Sequence, residues 1–212
     1  DMFSGSSLVE LDLSNFDTSH VTTMTGMFSV CTSLRSLNLS GFDTSQVTSM
    51  YSMFNNCPLL ESLDLTSFDT SSVTDMQYMF TGCKSLASVD LSSFDTSKVT
   101  ATRGMFSGCD SLDSLDISSF DLRKTVNMFG MLDFKCGPVF RLDVGEKCFS
   151  NEAVHMVFPK PASLENADQI ATGKWLNADT GMLVESEYVP AGVKASYVPQ
   201  ILPRLSGIVT AT

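Results

Sequence analysis

The stretch Leu34-Arg35-Ser36-Leu37-Asn38-Leu39-Ser40-Gly41-Phe42-Asp43-Thr44-Ser45-Gln46-Val47-Thr48-Ser49-Met50-Tyr51-Ser52-Met53-Phe54-Asn55-Asn56-Cys57 decides the fold, because most of the first 120 residues is this stretch copied. Phe16, Phe42, Phe68, Phe94 and Phe120 lie 26 residues apart, as do Cys31, Cys57, Cys83 and Cys109. A period in that range, held over several copies, is the signature of a repeat array in which each unit is one supersecondary element. Within the unit, Leu37 and Leu39 alternate with Ser36, Asn38 and Ser40, the period of a strand. Met50, Met53, Phe54 and Cys57 sit at i, i+3, i+4 and i+7, the period of a short helix. The pattern therefore predicts an α/β solenoid of the leucine-rich-repeat type: a short strand, a turn through Phe42-Asp43-Thr44-Ser45, a two-turn helix, and parallel pairing of successive strands.

Neither a half-apolar strand nor a two-turn helix can bury its apolar side alone, so the copies must stack. Each repeat position then becomes a column. The expected inward columns are Leu11/Leu37/Leu63/Val89/Leu115, Leu13/Leu39/Leu65/Leu91/Ile117, the Phe column, Val21/Val47/Val73/Val99/Val126 and the Met-Phe pair. Phe42, Phe68 and Phe94, with Cys57, Cys83 and Cys109, are read as packing residues. The fifth repeat degenerates: Asp121-Leu122-Arg123 replaces Asp-Thr-Ser, and a Met-Phe pair arrives early as Met128-Phe129. The array is therefore expected to span residues 1–130, its first unit truncated at the start, with residues 131–212 forming a small β-rich C-terminal cap. In that cap, Val139 to Val144 alternates as a strand does. Pro159 and Pro161 mark a break, and Gly173, Gly181, Gly192, Tyr188-Val189-Pro190 and Tyr197-Val198-Pro199 favour strands and turns. Trp175 is the expected centre of the cap's minor core. The chain opens inside a unit, as a cut within a longer array or a mature fragment would.

Twenty-four acids against 13 bases give a formal charge of −11, of which −9 falls on residues 1–130. Such a surface lacks the cationic footprint of nucleic-acid binding. No run of 18 apolar residues provides a membrane span. Catalysis needs unlike groups converging in a cleft, whereas the repeats present the same groups again and again. Cys148 and His155 are the one Cys and His near each other in sequence, with no recognisable orienting partner, so no catalytic residue and no cofactor are expected. No C-x-x-C pair supports zinc. The four periodic cysteines read as stacked buried thiols. Cys136, 27 residues after Cys109, continues that column or pairs with Cys148 in a disulfide closing a C-terminal loop.

The outward strand columns are Glu10/Ser36/Ser62/Ser88/Ser114, Asp12/Asn38/Asp64/Asp90/Asp116 and Ser14/Ser40/Thr66/Ser92/Ser118. They form a flat hydrophilic face without aromatic anchors. Asp12, Asn38, Asp64, Asp90 and Asp116, with Ser62 and Ser88, are the candidate ligand-binding residues, set against the plainer reading of a solvated face duplicated with the repeat. A second acid column, Asp17/Asp43/Asp69/Asp95/Asp121, reads as turn-closing and helix-capping. Calcium would need six to eight oxygens per site, more than one carboxylate per layer supplies. The threonine columns Thr18/Thr44/Thr70/Thr96 and Thr22/Thr48/Thr74/Thr100 raise ice-surface binding as a minor rival, although a turn separates them.

The run Leu63-Asp64-Leu65-Thr66-Ser67-Phe68-Asp69-Thr70-Ser71-Ser72-Val73-Thr74-Asp75-Met76, continued by Met79-Phe80-Thr81-Gly82-Cys83, resembles the 26-residue repeat of BspA-like leucine-rich-repeat proteins. These occur among Gram-positive surface proteins and mycoplasma lipoproteins, and the match covers roughly residues 2 to 121. Ala171 to Pro199 loosely resembles the region that often follows such arrays. The resemblance implies an extracellular, cell-surface protein, wall- or lipid-anchored at full length, with adhesion to a host or neighbouring-cell protein or glycan as its expected role. A monomer is expected. The alternative is a rigid spacer that presents other domains and has no ligand of its own.

Overall fold

The structure, a computed structural model, describes residues 1–136, 140–148, 160–161, 169–179, 183–185 and 195–203. Eleven strands are assigned there: β1 Glu10–Asp12, β2 Ser36–Asn38, β3 Ser62–Leu63, β4 Ser88–Val89, β5 Ser114–Ile117, β6 Lys135–Cys136, β7 Arg141–Val144, β8 Lys160–Pro161, β9 Gln169–Asn177, β10 Leu183–Glu185 and β11 Ala195–Pro203. The repeat strands pair in parallel at the sequence period, with Leu11 opposite Leu37 and Leu63 opposite Val89. Their alternation of exposed and inward residues follows from the pleat.

The expected helices are absent among the described residues. Met50 to Cys57 and its copies are chains of tight turns. In the third repeat, Met79 N–H donates to Met76 O (3.3 Å) and Cys83 N–H to Phe80 O (3.1 Å), with Tyr78 (φ 57°) and Gly82 (φ 73°) in the left-handed region at the third turn position. That is the geometry of a type II turn. Alternate N–H groups point along the stack: those of Met50, Ser52, Phe54 and Asn56 donate to the carbonyls of Asp75, Gln77, Met79 and Thr81 at 2.7–3.0 Å. In a helix these donors would be consumed four residues back. Two consecutive turns of about four residues place apolar side chains at i, i+3, i+4 and i+7 just as a helix does, so side-chain spacing alone does not separate the two.

The core runs the length of the stack. Phe3, Phe28, Phe54, Phe80 and Phe106 form one column of near-parallel rings with centroids 5.5–5.7 Å apart. Phe42 and Phe68 stack in a second column at 6.4 Å, and Phe94 and Phe120 are likewise buried, while Phe16 in the first layer is 40% exposed. Cys57, Cys83 and Cys109 are fully buried, their thiols donating to Phe28 O, Phe54 O and Phe80 O of the preceding layer at 3.0–3.2 Å. Burial pushes the Cys57 and Cys109 thiols up to about 12 and Cys83 well above its ordinary value. The thiolates are suppressed, and with them thiol reactivity.

Two inward assignments are corrected in the fifth repeat. Val126 is 82% exposed; Thr125, which lies 26 residues after Val99, fills the inward position and donates its hydroxyl to Val99 O (3.0 Å). The repeat keeps its period here, and it was the residue type that slipped by one. Likewise Met131-Leu132, both buried, stand where Met105-Phe106 stand one layer earlier, while Phe129 is 77% exposed.

The ladder continues past residue 130. β7 pairs in parallel with β5, Leu115 opposite Leu142 and Ile117 opposite Val144, at a spacing of 27 residues. Gly145 ends this rung where a Cβ would fall 2.0 Å from Ser118 O, so a bare backbone is required. β7 then pairs antiparallel with β11, β11 with β9, and β9 with β10, making one five-stranded sheet that joins the last repeat to the C-terminal strands. The register shifts between Pro199 and Ile201, as expected where a proline interrupts a ladder. Trp175 is buried, edge-on to Phe140 at 5.9 Å, and Phe140 meets Phe134 at 5.5 Å. Cys136 and Cys148 are both free buried thiols rather than a disulfide; the Cys148 thiol donates to Ile117 O at 3.0 Å. His155, Val139, Pro159, Gly181, Tyr188-Val189-Pro190 and Gly192 lie outside the described residues.

Candidate ligand-binding surfaces

Asp12, Asn38, Asp64, Asp90 and Asp116 all lie exposed along the strand face, as do Ser62 and Ser88, which face each other across β3 and β4. Their local role is specific. One side-chain oxygen of each column member accepts the N–H two residues on: Ser14, Ser40, Thr66, Ser92 and Ser118, at 2.8–3.1 Å. These are Asx turns that end each strand. The hydrogen bonds from Ser14, Thr66 and Ser92 hold the Asp12, Asp64 and Asp90 carboxyls below the usual range, so this face stays anionic at any neutral pH. Between successive layers the carboxylates of Asp90 and Asp116 flank a shallow cavity of about 90 Å³ that Ser92 and Ser118 also line.

The second acid column behaves in the same way. Asp17, Asp43, Asp69 and Asp95 accept from the N–H of Ser19, Ser45, Ser71 and Ser97 at 2.9–3.0 Å, closing the turn as expected, with no helix behind it to cap. Thr18, Thr44, Thr70 and Thr96 are buried, and each hydroxyl donates to the carbonyl of the aspartate 25 residues on. This threonine column is internal mortar, which removes half of the ladder an ice-binding surface would need. Among the described residues no three His, Cys, Asp or Glu converge on a metal position.

A second surface, on the turn side, gathers aromatic side chains around an arginine. Tyr51 and Tyr78 meet edge to face at 5.7 Å, and the Arg103 guanidinium lies 6.0 Å from the Tyr78 ring and 5.4 Å from the Phe129 ring. Tyr78, Arg103 and Phe129, together with Thr81, Gly104 and Asp133, line an open cavity of about 140 Å³. The Tyr78 ring fits because Gly104 follows it one layer on: a Cβ there would come within 2.7 Å of the ring. Reading the residues by type hid this surface, but reading them by register exposes it. Thr25, Tyr51, Gln77, Arg103 and Phe129 share one repeat position, and Gly26, Ser52, Tyr78, Gly104 and Gly130 the next. In an array whose core columns are nearly invariant, these two columns diverge and place the bulky groups in neighbouring layers.

The sequence profile of a family described as Mycoplasma protein of unknown function, DUF285, matches residues 1–62 and again residues 56–156. The chain belongs to this family. The two matches in tandem cover the layers from Phe3 through β7, including the rung beyond residue 130, so the DUF285 region coincides with the stacked repeats. No curated protein and no solved structure matches the chain.

Proposed function

We propose that this DUF285 chain is a recognition module displayed outside the cell, monomeric, and held at the surface in the full-length protein by a wall or lipid anchor. Its repeats stack as a right-handed solenoid of the BspA-like leucine-rich-repeat class, and the repeat surface binds a protein or glycan of a host or neighbouring cell. The observation that carries this reading is the contrast between an invariant buried interior and exposed columns that repeat one chemistry at each layer. A ligand with its own repeat gains from several weak contacts held in register. Along the strand face the partner would be basic or bridged by cations, with binding that weakens as salt rises.

The rigid-spacer alternative also has a specific observation in its favour. One side-chain oxygen of each member of the Asp12/Asn38/Asp64/Asp90/Asp116 column is already committed to its own turn, and each layer is tied to the next by backbone hydrogen bonds. The test is a pull-down and glycan-array screen with the chain beside an Asp64→Ala, Asp90→Ala, Asp116→Ala variant. Binding lost in the variant supports the strand face, binding retained moves the site to another surface, and no binding to a broad panel leaves the spacer.

A further inference from the structure

Among the described arginines, Arg35, Arg123 and Arg141 each pair with a carboxylate, at 3.8, 2.6 and 2.9 Å. Arg103 makes no ion pair or hydrogen bond with a described residue; its contacts are the Tyr78 and Phe129 rings. Guanidinium donors lie in the plane of the group, and contact with the two rings uses none of them, so its N–H groups stay uncommitted. Phe129 is 77% exposed, so its ring is open to a ligand that approaches beside Arg103. The cavity between them has a mixed lining: aromatic faces, a free donor fork, the Asp133 carboxylate, and the Thr81 hydroxyl, which donates to Gly104 O and retains acceptor capacity.

We propose that the groove formed by Tyr78, Arg103 and Phe129 is a binding site for one pyranose unit of a neutral glycan. The proposal rests on the recognition reading above and gives it a second face and a ligand class. A pyranose is amphipathic in the same way as this lining: its C–H face packs on an aromatic ring while adjacent hydroxyls take the two donors of the arginine fork. Small-molecule sites combine apolar walls with a few placed polar groups in this manner, and Tyr and Arg are the side chains that anchor interfaces. The volume of about 140 Å³ is on the scale of one sugar ring and too open to sequester a large apolar side chain. Charge favours a neutral sugar over an acidic one, because Asp133 lines the same cavity and the chain carries a formal charge of −11.

The test is titration calorimetry of the full chain with neutral tetrasaccharides of glucose, galactose, mannose and N-acetylhexosamine, beside a sialylated and a uronic-acid oligosaccharide. Saturation-transfer NMR with irradiation of the aromatic protons reports which sugar protons lie against a ring. Phe129→Ser and Arg103→Ala alter exposed side chains, and an unchanged melting temperature shows that each is folded. The expected result is binding of a neutral tetrasaccharide, saturation transfer to its C–H protons that is lost in Phe129→Ser, and a loss of about tenfold or more in affinity in each variant, with Asp64→Ala, Asp90→Ala, Asp116→Ala unaffected. Preference for the acidic sugars, or binding that survives both groove variants, overturns the proposal. Ligand binding lost in the strand-face variant alone overturns it while leaving the recognition reading standing; no binding by any of these sugars also overturns it, and the recognition reading falls with it only when the pull-down captures no partner.

Discussion

The strand side and the turn side of the repeats hold the stack together in different ways. On the strand side the assigned ladders are short and interrupted: β1 pairs with β2, β3 with β4 and β5 with β7, each over two to four residues. On the turn side the bridges run unbroken through Thr23, Ser49, Asp75, Ala101 and Asn127, and the buried Phe28-Phe54-Phe80-Phe106 column lies beside them. The segment without regular secondary structure is therefore the more continuous one. Its irregular backbone leaves alternate N–H groups aimed at the next layer, and buried donors of that kind must be satisfied.

Removing a ring from the turn-side column sharpens this comparison most. Phe80 is fully buried between rings at 5.7 and 5.5 Å, so Phe80→Ala is expected to cost about 3–5 kcal/mol in denaturant melts through lost burial and a cavity. Phe68→Ala, in the second buried column, falls in the same range. A cost below about 1 kcal/mol for Phe80 would break the account of the turn side.

The thiol column gives the comparison a pH dependence. Folding raises the Cys57 and Cys109 thiols to about 12 and Cys148 to about 11, from 9.0. Below pH 9 both states hold the proton and nothing is lost. Between about 9 and 12 the unfolded chain releases protons that the folded chain keeps, so stability falls with rising pH, by up to about 1.4 kcal/mol per pH unit for each such thiol. Stability followed by chemical denaturation from pH 8 to 11 should show this slope, and Cys57→Ala with Cys109→Ala should flatten it. An unchanged slope in the double variant would place those thiols in contact with solvent.

Thr102 tests the column at a single atom. It takes the position held by Met24, Met50, Met76 and Met128 in the other layers, is fully buried, and its hydroxyl has no hydrogen-bond partner among the described residues. Thr102→Val, similar in shape and without the hydroxyl, is expected to stabilise the protein by about 1 kcal/mol. A destabilisation would mean that the hydroxyl is satisfied. At the bottom of the scale, Ser62→Ala on the exposed strand face should change stability by less than about 0.5 kcal/mol.

The strand half of each repeat was legible because a period of two has one structural meaning: Leu37 and Leu39 face inward, Ser36 and Asn38 outward, and the parallel register follows from the period. The turn half was not, because Met50, Met53, Phe54 and Cys57 have the spacing of a helix. The contrary signal lay in Gly26, Gly82, Gly104, Gly108 and Gly130, which sit at positive φ inside the supposed helices, where glycine is unfavourable. Val126 was misplaced because apolar character outweighed register; counting 26 from Val99 selects Thr125. The strand-face acids were found as a column, but the bond each makes to the N–H two residues on was expected only of the second acid column. The groove at Arg103 escaped because its residues share no type and come together only when three layers are stacked.

The central claim, that the turn segments bind layer to layer instead of forming helices, is tested most directly by through-hydrogen-bond scalar couplings in NMR of the isotopically labelled chain. The amide nitrogen of Phe54 should couple to the carbonyl carbon of Met79, and that of Ser52 to Gln77, matching the 2.9 Å bonds between those groups. Coupling of Phe54 to the carbonyl of Met50, four residues back, would mean a helix and would contradict the account.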